Sequence, residues 1–315
     1  MTTHAAMFGA VAPHVPAVPV SCLVCHRDVE TALLCLNSLL RCARQPLRLV
    51  LHDDGSLTDE DADRLQECLG AGAAGAPTLI RRAEADARMA EVLRGRPASL
   101  RYRDRHLLAL KLLDAFHLND ASETFCYCDS DILFLQPFTG LFEPAAPAAV
   151  FASDISDAYS IRYGLLAEPG LLLPRRLNTG VFRIRRACYD PDLVEWFVSK
   201  PRHLAKLYFA EQTCWALLAF RAGGELISGE QISVVRPGVG ADAGRIALHY
   251  AGRSKFGLSA ATAPRGGSGD APNAQPPAVI QTAPMRRCSA WRVAGREVVN
   301  DLSRVGRKLR LLPAR

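Results

Sequence analysis

The sequence holds no long uncharged apolar run, so no stretch has the length a membrane-spanning helix requires. Its N-terminus lacks the basic start and unbroken apolar centre of a secretion signal, and residues 1–16 read as a disordered leader. Ten cysteines are present, but the spacing of a zinc site is missing: Cys22-x-x-Cys25 and Cys126-x-Cys128 stand in apolar segments without a second pair. A chain of this length with no secretion signal favours reduced thiols, most of them serving as small buried hydrophobes, and a cytoplasmic location.

What is there is ordinary in bulk, 49% hydrophobic and 22% charged over 315 residues, with room for an ample core. The charge is not ordinary in its placement. Residues 286–315 carry nine basic side chains against Glu297 and Asp301, a balance of +7, so the net +6 leaves −1 for everything before them. A body near neutrality argues against nucleic acid as a partner. Between them, residues 259–285 are rich in Ala, Pro, Gly and Ser and read as a flexible linker. In the basic tail, Trp291, Ala294, Val298, Leu302, Val305, Leu309 and Leu312 recur every three or four residues, the pattern of a cationic amphipathic helix. Such a helix suits an anionic membrane surface, or else docks on the body.

Between residues 17 and 258 apolar runs alternate with helical patterns. Strands are expected at 17–25, 47–51, 77–80, 148–152, 177–184 and 246–250, and helices after Asp28, near Thr58, up to Arg94, over 99–118, and from about Asp192 and Ala210. That alternation predicts an α/β fold with a mixed, mostly parallel central sheet flanked by helices, whose ligands gather at the carboxyl ends of the strands. The centre of this segment is Thr124 to Phe138, where an apolar run ends in Asp129-Ser130-Asp131 and another begins at once. Alternate positions on an extended chain face one side, so both carboxylates can meet one hard divalent cation, with the small Ser130 leaving room for its ligand. A solvated acidic turn is the simpler reading, but a tight hairpin would want a glycine that is absent here.

Other polar turns fall at strand ends. Asp53-Asp54-Gly55 follows the second strand, and either acid suits a nucleobase or ribose, or simply a helix entry. Lys111, on the helix before the central strand, is placed to meet phosphates, or to lie along the surface as a snorkelling side chain. Ser153-Asp154 closes another run. Asn178-Thr179-Gly180 opens a strand, with Gly180 allowing close approach of a ligand to the backbone. Glu211-Gln212 opens a helix, and His249-x-x-Gly252-x-x-Lys255 follows the last strand.

Taken in order, the D-x-D, the Asn-x-Gly-Val-Phe, the acid-Gln helix start and the His-x-x-Gly-x-x-Lys resemble GT-A-fold glycosyltransferases of the family-eight type, which includes glycogenin and lipopolysaccharide galactosyltransferases. The resemblance implies that Asp129, Asp131 and His249 bind Mn²⁺ or Mg²⁺, and that Gly252 and Lys255 hold the diphosphate of a nucleotide sugar, a UDP-sugar by expectation. It also sets Asn178 and Gln212, with Glu211, beside the transferred sugar, and Asp154 toward sugar or acceptor. The acceptor is then a hydroxyl on a saccharide, lipid-linked carrier or protein, and transfer proceeds with retention. Three departures stand out: Phe256-Gly257 replaces the usual Pro-Trp, Glu211 replaces an aspartate, and Asp53-Asp54-Gly55-Ser56 is similar instead to the uridine-contacting motif of family-two enzymes. Inversion therefore stays open beside retention. Two rivals remain, a sugar-1-phosphate nucleotidylyltransferase and a non-catalytic sugar-nucleotide-binding protein. The first expects a Gly-rich basic loop after the first strand, where Cys25-His26-Arg27-Asp28 stands.

Overall fold

The structure is a computed structural model that describes residues 16–70, 74–119, 122–144, 146–160, 172–200, 209–236, 244–252, 254, 258, 276–295 and 299. Its strands are β1 (Val18–Val24), β2 (Leu47–Asp53), β3 (Thr78–Ile80), β4 (Thr124–Cys128), β5 (Ile132–Phe134), β6 (Phe138–Thr139), β7 (Ala149–Ser153) and β8 (Leu172–Pro174). They continue with β9 (Leu177–Arg185), β10 (Glu225–Ile227), β11 (Ile232–Val234), β12 (Ala247–His249), β13 (Ala278–Val279), β14 (Thr282–Pro284) and β15 (Arg287–Ser289).

Eight strands form the central sheet in the order β14-β10-β7-β9-β4-β1-β2-β3. Parallel pairings join β1 to β2 and β4, β2 to β3, and β7 to β10, while β9 and β14 run against their neighbours. The sheet is thus mixed and mostly parallel, as the alternation of strand and helix patterns implies. Along β4, Phe125 and Tyr127 join the core on one face of the sheet, and Cys126 and Cys128 the core on the other. All ten cysteines are free thiols, seven of them buried.

The face of Phe125 and Tyr127 holds an aromatic stack. Phe151 lies 4.5 Å from Phe182, Tyr127 5.5 Å from Phe182, and Phe125 5.8 Å from the Trp215 ring. Trp215, fully buried, fastens the helix Ala210–Arg221 to the sheet and so fixes where that helix begins.

Two expectations need correction. The single helix over 99–118 is broken into Pro97–Arg105, Ala109–Leu112 and Asp114–His117, and Leu107, between the first two pieces, is 58% exposed. The segment buries Arg103, Lys111 and Asp114, and a buried charge must reach a partner. Arg103 donates to both oxygens of Asp114 at 2.8 and 2.7 Å, and Lys111 turns toward the sheet edge.

The second correction concerns the stretch read as linker and amphipathic helix. Within 259–285, β13 pairs with β6 and β14 extends the central sheet from β10. Within 286–315, Arg287–Ser289 is a strand antiparallel to β8, residues 290–295 are helical as the spacing implies, and Cys288, Ala290 and Val293 are buried in the core while Trp291 stays 65% exposed. Open strand edges offered main-chain partners that composition alone does not register. Residues 259–275, 296–298 and 300–315, which complete these two stretches, lie outside the described residues.

Candidate functional site

Asp129 follows the last residue of β4, and its backbone N–H donates to Gly180 O at 2.6 Å, extending the β4–β9 ladder past Cys128. Two residues later Asp131 precedes β5. The antiparallel partner of β5 is β12, in the register His249 to Ile132, and Tyr250 N–H closes on Asp131 O at 2.9 Å. This small ladder carries His249 across more than a hundred residues to the D-x-D turn. His249 Nε2 lies 3.2 Å from Asp131 Oδ1 and 3.8 Å from Asp129 Oδ2.

The remaining wall comes from an irregularity. β9 pairs with β7 through Phe182–Phe151 and then, after a register shift, through Asn178–Ala152, so Thr179, Gly180 and Val181 stand between the two pairings. Bulges of this kind re-aim side chains beside functional sites. Here Asn178 Oδ1 accepts from Gly180 N–H at 2.8 Å and Asn178 Nδ2 donates to Asp154 Oδ2 at 3.0 Å. Gly180 is required by its neighbours, since a Cβ there would sit 2.5 Å from His249 Cε1.

Lys111 enters from the turn Ala109–Leu112 and is buried. Its Nζ donates to both oxygens of Asp129 at 2.9 and 3.1 Å, lies 4.0 Å from Glu211 Oε1, and sits 4.5 Å from the centre of the Tyr127 ring. The surface-snorkelling alternative is therefore wrong. Burial pulls the Lys111 ammonium down, but Asp129 and Glu211 outweigh it and hold its pKa above the ordinary value.

Glu211 is in the first turn of the Trp215 helix. Burial pushes its carboxyl up to about 7, against the opposing pull of Lys111. Thr179 Oγ1 donates to Glu211 Oε2 at 3.2 Å, while Oε1 takes no hydrogen bond among the described residues. Gln212 Nε2 donates to Ala158 O at 2.8 Å and so ties the helix start to the segment after β7.

For a metal ion the donor set is two carboxylates and one imidazole, and one ligand atom from each of Asp129, Asp131 and His249 lies within 4.8 Å of the others. Oxygen donors with a single imidazole suit a hard divalent cation such as Mn²⁺ or Mg²⁺. Burial lowers the His249 pKa, yet Asp131 and then Asp129 more than reverse this and raise it above the usual imidazole value. The residues present fit an ion, and protons compete with it for His249.

The other expected positions divide. Ser130 is buried in the turn between the two aspartates. Gly252, three residues past His249, takes a left-handed φ of 62°, and Lys255 lies outside the described residues. Asp53 and Asp54 stand at the carboxyl end of β2, but their oxygens build the turn: Asp53 Oδ1 accepts from Gly55 and Leu57 N–H, Arg81 Nε is 3.3 Å from Asp53 Oδ2, and Asp54 Oδ1 accepts from Ser56 N–H. Sequence reasoning did not single out Thr179 or Tyr127. Thr179 stood inside a quoted motif, whereas nothing in an alternating strand marks Tyr127 as the ring beneath an ammonium.

No family model matches the sequence, and no curated protein matches it by sequence. Among solved structures the chain is similar to mouse xyloside xylosyltransferase 1 in its apo form, at 12% identity and TM-score 0.49 over 74% of this chain and 97% of that one. It is similar to an active-site mutant of LgtC at 11% identity and TM-score 0.49, over 79% of this chain and 98% of that one. The bifunctional glycosyltransferase WbbM, also apo, gives 13% identity and TM-score 0.48 over 81% of this chain, which spans about half, 52%, of its length.

Proposed function

We propose that the protein is a metal-dependent glycosyltransferase of GT-A type that moves a sugar from a nucleotide-sugar donor to a hydroxyl acceptor. The observation that carries this reading is the convergence of Asp129, Asp131 and His249 at the carboxyl edge of a mostly parallel sheet, beside Asn178, Asp154 and the Glu211-Gln212 helix start. Asp129, Asp131 and His249 would hold Mn²⁺ or Mg²⁺, which when bound supplies Lewis-acid stabilisation of a leaving diphosphate. Lys111 brings a cation to the same place, where charge on the leaving group develops. Gly252 and Lys255 flank the diphosphate in this reading, Ser130 leaves room for it, Gly180 gives its space to the His249 ring, and Asn178, Glu211, Gln212 and Asp154 face the sugar and its acceptor. The assignment of Asp53 and Asp54 to the nucleoside end rests on their place at the carboxyl end of β2 alone, since Asp53 is engaged by its turn and Arg81, and Asp54 Oδ1 by Ser56.

A UDP-sugar donor, retention of configuration, and a saccharide, lipid-linked or protein acceptor are the finer parts of the proposal. So is contact with an anionic membrane through residues 286–315, supported by the +7 balance of that segment and by the exposed Trp291. No helix among the described residues is long and apolar enough to cross a membrane. The test is a screen of nucleotide sugars for Mn²⁺-dependent release of nucleoside diphosphate, with the anomeric coupling of the product read by proton NMR. Release is the expected result. Tight binding with no turnover across acceptors would instead make the protein a sugar-nucleotide-binding module.

A further inference from the structure

A divalent ion at the Asp-Asp-His cluster has to share Asp129 with a resident cation. Lys111 engages both oxygens of that carboxylate, at 2.9 and 3.1 Å, from a buried position below the sheet edge. Asp129 is the more exposed of the two aspartates, and hard ions bind carboxylate oxygens at close range. An ammonium and a metal ion on one carboxylate repel each other strongly where water is scarce. The ammonium also has somewhere else to go. Glu211 Oε1, 4.0 Å from Nζ, is just beyond hydrogen-bond reach, is buried, and takes no hydrogen bond among the described residues.

We infer that Lys111 is an internal competitor for the metal site. It holds Asp129 until a diphosphate arrives, then shifts toward the phosphate oxygens and Glu211, so that metal and nucleoside diphosphate bind together while the metal alone binds weakly. The inference rests on reading Asp129, Asp131 and His249 as a metal centre. Lys111 acts here as a positioning residue, setting the order and coupling of binding.

Binding of Mn²⁺, followed by loss of the free-ion electron paramagnetic resonance signal, tests this without turnover. Wild type, Lys111→Met, Lys111→Arg and Glu211→Gln would each be titrated with and without UDP at mildly alkaline pH, after circular dichroism has shown them folded. Wild type should bind Mn²⁺ at least about tenfold more tightly with UDP than without it. Lys111→Met should bind Mn²⁺ alone at least about tenfold more tightly than wild type, with most of the UDP coupling gone, because the competing charge has been removed. Lys111→Arg should keep the coupling. Glu211→Gln, which weakens the ammonium's second resting place, should reduce Mn²⁺ affinity in the presence of UDP, and it serves as the deciding variant if Lys111→Met does not fold. Mn²⁺ affinity that is equal in wild type and Lys111→Met, or unchanged by Glu211→Gln where it decides, overturns the role of Lys111 and leaves the metal centre standing. Failure of wild type to bind Mn²⁺ even with UDP removes the metal centre and this inference with it.

Discussion

The imidazole of His249 rests against the bare Cα of Gly180, and a single methyl there would lie 2.5 Å from Cε1 and 2.7 Å from Nδ1. Such a contact leaves an added atom nowhere to go, because Asn178 Oδ1 closes the same space at 2.8 Å. Gly180→Ala should therefore push the ring from its place, lowering Mn²⁺ affinity at least about tenfold and costing about 1–3 kcal/mol of stability. Isothermal titration and urea unfolding check the two effects separately. An unchanged Mn²⁺ affinity would detach His249 from the metal.

Asp129→Asn and Asp131→Asn keep size and shape while removing one negative charge each. Both variants should lose Mn²⁺-dependent release of nucleoside diphosphate by at least about a hundredfold while keeping their fold, since the charge lost is one the ion would meet. Full activity in either variant, or in wild type with excess chelator, contradicts the metal assignment.

The Arg103–Asp114 pair is buried on both sides, and it joins the two outer pieces of the broken helix. Arg103 also meets Asp86 Oδ1 at 2.7 Å, so removing Asp114 costs the buried half of a shared pairing, and Asp114→Ala should destabilise the protein by about 1.5–3 kcal/mol. The double change Arg103→Met with Asp114→Leu should recover much of that loss, which chemical denaturation of the three variants would measure. A double variant no better than the single one would mean that geometry at this joint matters more than charge.

Acid stability should be shaped in part by His52, which is buried, and His117, which is half-buried. Burial lowers His52 from 6.5 to about 3 and His117 to about 4, so in each case the unfolded chain takes a proton that the native state refuses. Their contribution is complete above pH 6.5 and is lost as pH falls, at up to about 1.4 kcal/mol per pH unit for each histidine. Glu211, raised from 4.5 to about 7, acts in the opposite sense and loses stability as pH rises across that interval. His249 and Asp114, also raised, act with Glu211. Asp61, Asp86, Asp190 and Glu195, all held below the usual carboxylate range, join the two histidines in losing stability toward acid. His52→Met should flatten the acid limb of a melting-temperature profile, and a limb as steep as that of wild type would assign the effect elsewhere.

Much of this was legible in the chain. The strand–helix alternation and the acidic break after Cys128 follow from periodicity and from the cost of burying carboxylates, which act locally. His249 was recognisable only through the motif order, because the β5–β12 ladder that carries it is a long-range pairing. Lys111 was open between surface and site for a different reason: helical periodicity over 99–118 says nothing about breaks imposed by buried ion pairs. The strands at Thr282–Pro284 and Arg287–Ser289 were hidden because edge pairing uses main-chain groups, which every composition possesses.

Those late strands change what a shortened chain would be. β13, β14 and β15 cover β6, β10 and β8, so a protein ending at residue 258 would bare three ladders at once. Unpaired edges are adhesive toward other chains. Such a fragment should oligomerise in light scattering even without lipid, and its sedimentation with vesicles would report stickiness instead of membrane affinity. A cut after Gly295 keeps the covering strands and isolates the basic remainder, whose loss should then reduce binding to anionic vesicles at low salt alone.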